Sequence, residues 1–231
     1  MAVGCPVEQE SRPTPLSDPV GAAFGRVALL VEIGITGDRP AAGRWVRLVE
    51  MRTYEDLPAE LVTERLRLRR WVPSDAEQFR GLWFERDPRV PAARRIDAEG
   101  RPTVEDVRGW LVDNPLTAAP GLGLLAIELR DTGGFIGYCG LTVGHGSFDE
   151  PEIAYELAQR AHGHGYATEA ARAVLEAAIR TGRRRLWATV REWNTPSFRV
   201  LEKLGFHRSD RVDEDVEHGN SIWMTRVLDP R

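Results

Sequence analysis

The segment Arg160-Ala161-His162-Gly163-His164-Gly165-Tyr166-Ala167-Thr168-Glu169 joins two glycines, one residue apart, to the start of an amphipathic helix. A strand-like run, Glu152-Ile153-Ala154-Tyr155-Glu156-Leu157, comes just before it. A strand, a glycine loop and a helix N-terminus together make a site for a pyrophosphate. Glycine lets the backbone approach the phosphates, and the first N–H groups of the helix supply partial positive charge. No Gly-Lys-Ser/Thr follows, so the P-loop pattern is excluded. The dinucleotide fingerprint fails at Thr168, where its third glycine or alanine should stand. By spacing alone, an ordinary glycine-rich turn and a phosphate cradle fit equally well.

Other residues could move protons. Glu152, Ala154 and Glu156 share one face of their strand, so either carboxylate could take a proton from an amine. Each could equally be paired with an arginine. His145, Asp149 and Glu150 precede the strand and could receive a cationic substrate. His162 and His164 flank Gly163 without a third ligand at suitable spacing, so no metal is expected. Trp83, Trp110 and Trp193 read as core rather than as substrate platforms.

The spacing Arg160-x-x-Gly163-x-Gly165 resembles the acyl-CoA-binding signature of the GNAT acetyltransferase family, Gln/Arg-x-x-Gly-x-Gly/Ala. Asn194-Thr195-Pro196-Ser197-Phe198-Arg199-Val200-Leu201-Glu202-Lys203-Leu204-Gly205-Phe206 is similar to the family's closing segment. Thr63-Glu64-Arg65-Leu66-Arg67-Leu68-Arg69-Arg70-Trp71 resembles the first strand of the branch that acetylates ribosomal-protein N-termini. The resemblance spans roughly the last three-quarters of the chain, and the blocks are specific jointly rather than singly.

It implies an α/β fold with a mixed, mostly antiparallel sheet flanked by helices and splayed between the fourth and fifth strands. It further implies an acetyl-CoA-dependent N-acetyltransferase, with acetyl-CoA as co-substrate. The pantetheine arm would lie along Glu152–Leu157, with contacts from Leu157 and Gln159 and the oxyanion on the Leu157 N–H. The pyrophosphate would rest on the N–H groups of His162, Gly163, His164, Gly165, Tyr166 and Ala167, with Arg160 and Thr168 beside it. Thr168 is otherwise a plain first-turn residue. Asn194 is either the family's cofactor-side amide or a helix cap. Ser197 would lie near the thioester, and Glu152 or Glu156 would be the base. The family's tyrosine acid is replaced by Leu201, so a proton for the thiolate must come from Ser197, from water, or from nothing.

The acceptor implied is a primary amine: a protein N-terminus, or a small amine such as an antibiotic or polyamine. An α-amine, with a pKa near 8 against about 10.4 for lysine, asks less of the base. A non-catalytic acyl-CoA sensor is the rival from another class, favoured by Leu201 and opposed by the two glutamates. A monomer or homodimer is expected.

The surrounding elements follow from pattern. Leu66–Trp71 alternates as a strand, and a helix capped by Ser74 or Asp75 runs to about Glu85. Thr103 caps a helix reaching Val112. Gly121–Arg130 and Phe135–Val143 form a hairpin around Asp131-Thr132-Gly133-Gly134. Tyr166–Thr181 is a helix with an alanine-rich core stripe, ended by Gly182. Leu186–Arg191, a helix from Thr195-Pro196 to Gly205, and strands at His207–Asp213 and Ser221–Val227 complete the order.

The 231 residues carry a net charge of −4, which argues against a general nucleic-acid-binding face. The arginine runs Arg94-Arg95 and Arg183-Arg184-Arg185 read as solvated surface. Lys203 is the only lysine. Cys5 and Cys139 make no disulfide framework, in keeping with a reducing cytoplasm. The apolar run Val27–Ile35 is broken by Glu32 and too short to span a bilayer, so no membrane association is expected. Residues 1–50 are rich in Pro, Gly, Ala and Arg and read as a loosely ordered extension, with short strands at most at Arg26–Ile33 and Trp45–Val49. Met51 is an alternative start, which makes 51–231 the catalytic domain.

Overall fold

A computed structural model describes residues 54, 55, 57–113 and 122–229. The expectations for residues 1–50, Cys5, the apolar run Val27–Ile35 and the start at Met51 lie outside these. Eight strands and four α-helices follow in the order β1 (Glu60–Val62), β2 (Leu66–Arg69), α1 (Ala76–Phe84), α2 (Val104–Asp113), β3 (Gly123–Leu129), β4 (Phe135–Thr142), β5 (Glu152–Leu157), α3 (Tyr166–Arg180), β6 (Arg185–Arg191), α4 (Thr195–Lys203), β7 (His207–Asp213) and β8 (Ser221–Val227). The sheet runs β1-β2-β3-β4-β5-β6-β8-β7, and only β5 and β6 pair in parallel. This is the mixed, mostly antiparallel α/β sheet that the sequence implies.

The strand β1 is an addition. Three residues are too few to show a period, and only its pairing with β2 makes it a strand. The expected fourth and fifth strands are therefore β5 and β6. Their register holds one pair, Glu152↔Trp187, and stops there. The two strands part beyond that point, which opens the sheet where the splay is expected.

Helix starts follow local chemistry. A 3-10 turn at Pro73–Asp75 precedes α1, and Asp75 turns its carboxylate back to the Val72 N–H (2.9 Å) and to Arg69 (2.7 Å). At α2, Thr103 Oγ1 accepts from the Asp106 N–H while Asp106 accepts from the Thr103 N–H, a reciprocal capping box. The alanine stripe of α3 buries Ala170, Ala171, Val174, Leu175, Ala177 and Ala178.

Two apolar clusters form, one on each face of the sheet. The larger lies under α3 and α4 and includes Leu125, Cys139, Ile153, Val174, Leu186 and Leu201. The smaller lies under α1 and α2 and includes Phe79, Trp83, Val107, Leu124 and Tyr138. Gly137 lets β5 approach β4, because a Cβ there would collide with the Glu156 carbonyl.

Arg183 departs from expectation. It is fully buried rather than solvated, with its guanidinium 4.3 Å from the Tyr54 ring centroid and 5.3 Å from that of Phe148. Aromatic faces on a neighbouring segment hold the charge inside, and one residue's position in an arginine run does not reveal them.

Candidate active site

The glycine loop is built for close approach. Gly163 and Gly165 have φ of +79° and +82°, which only glycine adopts easily. A Cβ at Gly163 would meet nothing within 4 Å, and one at Gly165 only the Arg65 guanidinium at 3.6 Å. The space above both residues is open. Gly165 is the N-cap of α3 and no side chain caps the helix. The first bond inside the helix is Glu169 N–H to the Gly165 carbonyl (3.1 Å), so the N–H groups of Tyr166, Ala167 and Thr168 precede the helical ladder.

Residues distant in sequence hold the loop in place. Arg65 donates to the His164 carbonyl (3.0 Å) and to Glu169 (2.7 Å), and its guanidinium lies 4.7 Å from the Tyr166 ring centroid. Thr63 Oγ1 donates to Glu169 at 2.5 Å. Burial works against the Glu169 charge, but the bonds from Thr63 and Arg65 outweigh it and lower its pKa. That anion in the first turn also suits the helix dipole. His164 stacks on Tyr166 at 5.5 Å.

Beside the loop, β5 runs along the splay. The Ala158 N–H donates to the Ile136 carbonyl on the β4 side. Strand alternation therefore turns the Leu157 and Tyr155 N–H groups toward the opening against β6. The Leu157 carbonyl is met by His162 Nε2 at 2.9 Å. Across the opening, Asn194 caps α4 and accepts from the Ser197 N–H through its side chain (3.4 Å). The cap reading of Asn194 therefore holds.

The two glutamates share a face but have different partners. Glu156 accepts two bonds from Arg86 (2.7 and 2.6 Å) and one from the Tyr138 hydroxyl (2.9 Å). Glu152 is 5 % exposed and accepts from Thr189 Oγ1 (2.8 Å) and from the His145 N–H, with His145 Nδ1 at 3.4 Å. Burial opposes the Glu152 charge, yet these bonds lower its pKa. The same contact raises that of His145, whose ring is largely exposed.

Two loop residues have protein partners here. The Gln159 N–H donates to the Glu85 carboxylate (2.5 Å) and its amide to the Glu85 carbonyl (2.8 Å). Arg160 donates to the Phe135 carbonyl. Sequence reading does not find Glu85, Arg86 or Tyr138 as neighbours of this strand, because Arg86 lies 70 residues from Glu156 and no local pattern links them. Trp83 is core as expected, while Trp193 is half-buried with the Arg89 guanidinium 4.2 Å from its ring centroid.

Among the described residues, no cluster of three or more His, Cys, Asp or Glu could hold a metal, and no helix is long and apolar enough to cross a membrane. The open glycine cradle, the uncapped helix N-terminus and the splayed strand edge fit a diphosphate with an extended amide-bearing arm.

That combination of a sheet split between two parallel strands and a glycine loop at its mouth is an acyl-CoA-binding architecture. Residues 65–207 match the family model described as "Acetyltransferase (GNAT) domain", and the chain belongs to the GNAT acetyltransferase family. It is 35 % identical over 155 residues to the uncharacterised protein YkkB of Bacillus subtilis (strain 168), covering 66 % of this chain and 88 % of that one. A GNAT-family acetyltransferase from Bacillus anthracis superposes with a TM-score of 0.59 at 24 % identity, covering 73 % of this chain and 98 % of that chain. An acetyltransferase from Agrobacterium tumefaciens does so with a TM-score of 0.56 at 28 % identity, covering 76 % and 97 %.

Proposed function

We propose that the protein transfers an acetyl group directly from acetyl-CoA to a primary amine, with a protein or peptide α-amine as the acceptor. The observation that carries this reading is the pair of left-handed, open-faced glycines at an uncapped helix N-terminus beside the splayed end of β5. The diphosphate would sit on the N–H groups from His162 to Ala167, with Thr168 alongside and Arg160 reaching it only by leaving Phe135. The pantetheine arm would pair with the edge of β5 at Leu157 and Gln159, displacing Glu85 from the latter. Asn194 and Ser197 would line the far wall. A structural neighbour from Salmonella typhimurium, of 18 % identity and TM-score 0.56, is described with its cofactor acetyl-CoA.

In the reaction, the neutral amine adds to the thioester carbonyl carbon, and the Leu157 N–H meets the oxygen as it becomes anionic. Glu152, working through His145 at the surface, takes the amine proton. Glu156 remains bound to Arg86 and shapes the acceptor wall.

That pairing bears on the acceptor. A polycation needs unpaired carboxylates, and both strand glutamates already have partners. An α-amine needs neither a strong base nor an acidic pocket. Structural neighbours include a ribosomal-protein-serine acetyltransferase and a spermidine N-acetyltransferase, both from Vibrio cholerae, at 20 % and 14 % identity. Both likenesses bear on fold alone. Turnover measured on α-amine peptides, α-blocked lysine peptides and polyamines tests the reading. Activity on α-amines supports it, and activity confined to polyamines or lysine overturns the acceptor assignment.

A further inference from the structure

Tyr155 lies two residues before Leu157 on the strand that borders the splay. Its side chain points to the face opposite Glu152 and Glu156. There its hydroxyl donates to the Ser197 carbonyl in the first turn of α4, at 3.1 Å. The phenol thus reaches from one wall of the opening to the other, across the path of any arm laid along the β5 edge. Leu201, where the sequence lacks the family's acid, is 1 % exposed and packed in the core.

We propose that Tyr155 donates its phenolic hydrogen bond to the thioester sulfur as it departs. This inference rests on the acetyl-CoA reading above. The C–N bond forms as the amine attacks, and the amine proton goes to the Glu152–His145 pair. The C–S bond breaks with both electrons to sulfur. The thiolate is held by the Tyr155 hydroxyl and takes its proton from water. The phenol itself loses no proton, because an ordinary phenol is less acidic than a thiol. Burial raises the Tyr155 pKa further, against a smaller opposing effect of its hydrogen bond to Ser197, so the hydroxyl remains a donor. Facing it are Cys139, its cross-strand partner on β4 and neutral through burial, and Ser197 on α4. An uncharged hydrogen-bond donor aimed at developing charge in a water-poor gap is worth about 10- to 1,000-fold in rate.

The test compares wild type with Tyr155→Phe, using CoA and acetyl-CoA. The thiolate absorbance of bound CoA is titrated against pH, kcat is measured on the best amine, and Kd by calorimetry. The expected result is a similar Kd, a kcat lower by at least about 10-fold, and a bound thiol that ionises about one pH unit higher in the variant. Replacing Tyr155 with a fluorinated, more acidic tyrosine keeps the shape and should shift the thiol the other way. Identical thiol titrations in wild type, Tyr155→Phe and the fluorinated protein overturn the proposal. Failure of wild type to bind CoA overturns the cofactor reading instead, and this inference falls with it.

Discussion

Arg86 fastens the end of α1 to the cofactor strand by placing Nε and Nη2 on the two carboxylate oxygens of Glu156, at 2.7 and 2.6 Å. Its guanidinium also lies 4.3 Å from the Trp83 ring centroid, and its side chain is 8 % exposed. The pair thus joins the helix that walls the acceptor side to the strand that borders the thioester. Burial lowers the Arg86 pKa, and Glu156 more than restores it. Removing one partner leaves a largely buried charge alone, so Arg86→Ala should cost about 3 kcal/mol. Arg86→Met with Glu156→Met should cost less than Arg86→Ala. Urea unfolding of the variants checks both, and equal losses would mean that the pair carries no special stress.

His145 and Glu152 should give stability a pH window. The His145 pKa is raised above its ordinary 6.5, so its contribution is complete below that value and lost as pH rises through the folded pKa. The Glu152 pKa is lowered below its ordinary 4.5, so its contribution is present above that value and lost as pH falls through the folded pKa. The stability difference between wild type and His145→Gln should therefore be greatest between 4.5 and 6.5 and shrink on both sides. Tm measured across pH tests this; a flat difference would contradict it.

Asn194 caps α4 through its side chain. Asn194→Ala should cost about 1 kcal/mol, while Asn194→Asp should cost much less. Should Asn194 also touch the cofactor arm, Asn194→Ala would weaken acetyl-CoA binding beyond what its stability loss explains. Thermal melts beside binding isotherms separate the two roles.

Arg65 and Glu169 tie the glycine loop to β2. Glu169→Gln should loosen the loop and weaken acetyl-CoA binding about 10-fold, with a Tm loss of only a few degrees. Calorimetric binding at constant pH measures it, and unchanged affinity would show that the loop holds its shape alone.

Much of this architecture was legible in the chain. The glycine loop carries its own conformational requirement, and the alanine stripe of α3 and the capping box at Thr103 are local codes. The splay was expected from resemblance and appears in the single pair Glu152↔Trp187. What could not be read were partnerships across long stretches of chain. Arg86 with Glu156, Glu85 with Gln159 and Tyr155 with Ser197 depend on the sheet bringing separate segments together. Burial of Arg183 was equally invisible, since its neighbours in the arginine run gave no hint of aromatic faces. Residue type marked the groups able to do chemistry, and only the packing showed which were already engaged.

The central claim is that the glycine loop holds acetyl-CoA. Its most direct test is calorimetric titration of acetyl-CoA into wild type and into a Gly163→Glu, Gly165→Glu double variant. Both glycines face open space, so the added side chains meet little protein and bring bulk and negative charge to the cradle. Left-handed backbone at two non-glycine residues costs about 2–4 kcal/mol, so a melt confirms that the variant is folded. Micromolar-range binding by wild type and none by the folded variant is the predicted result. Equal binding by both proteins, or none by wild type, would contradict it.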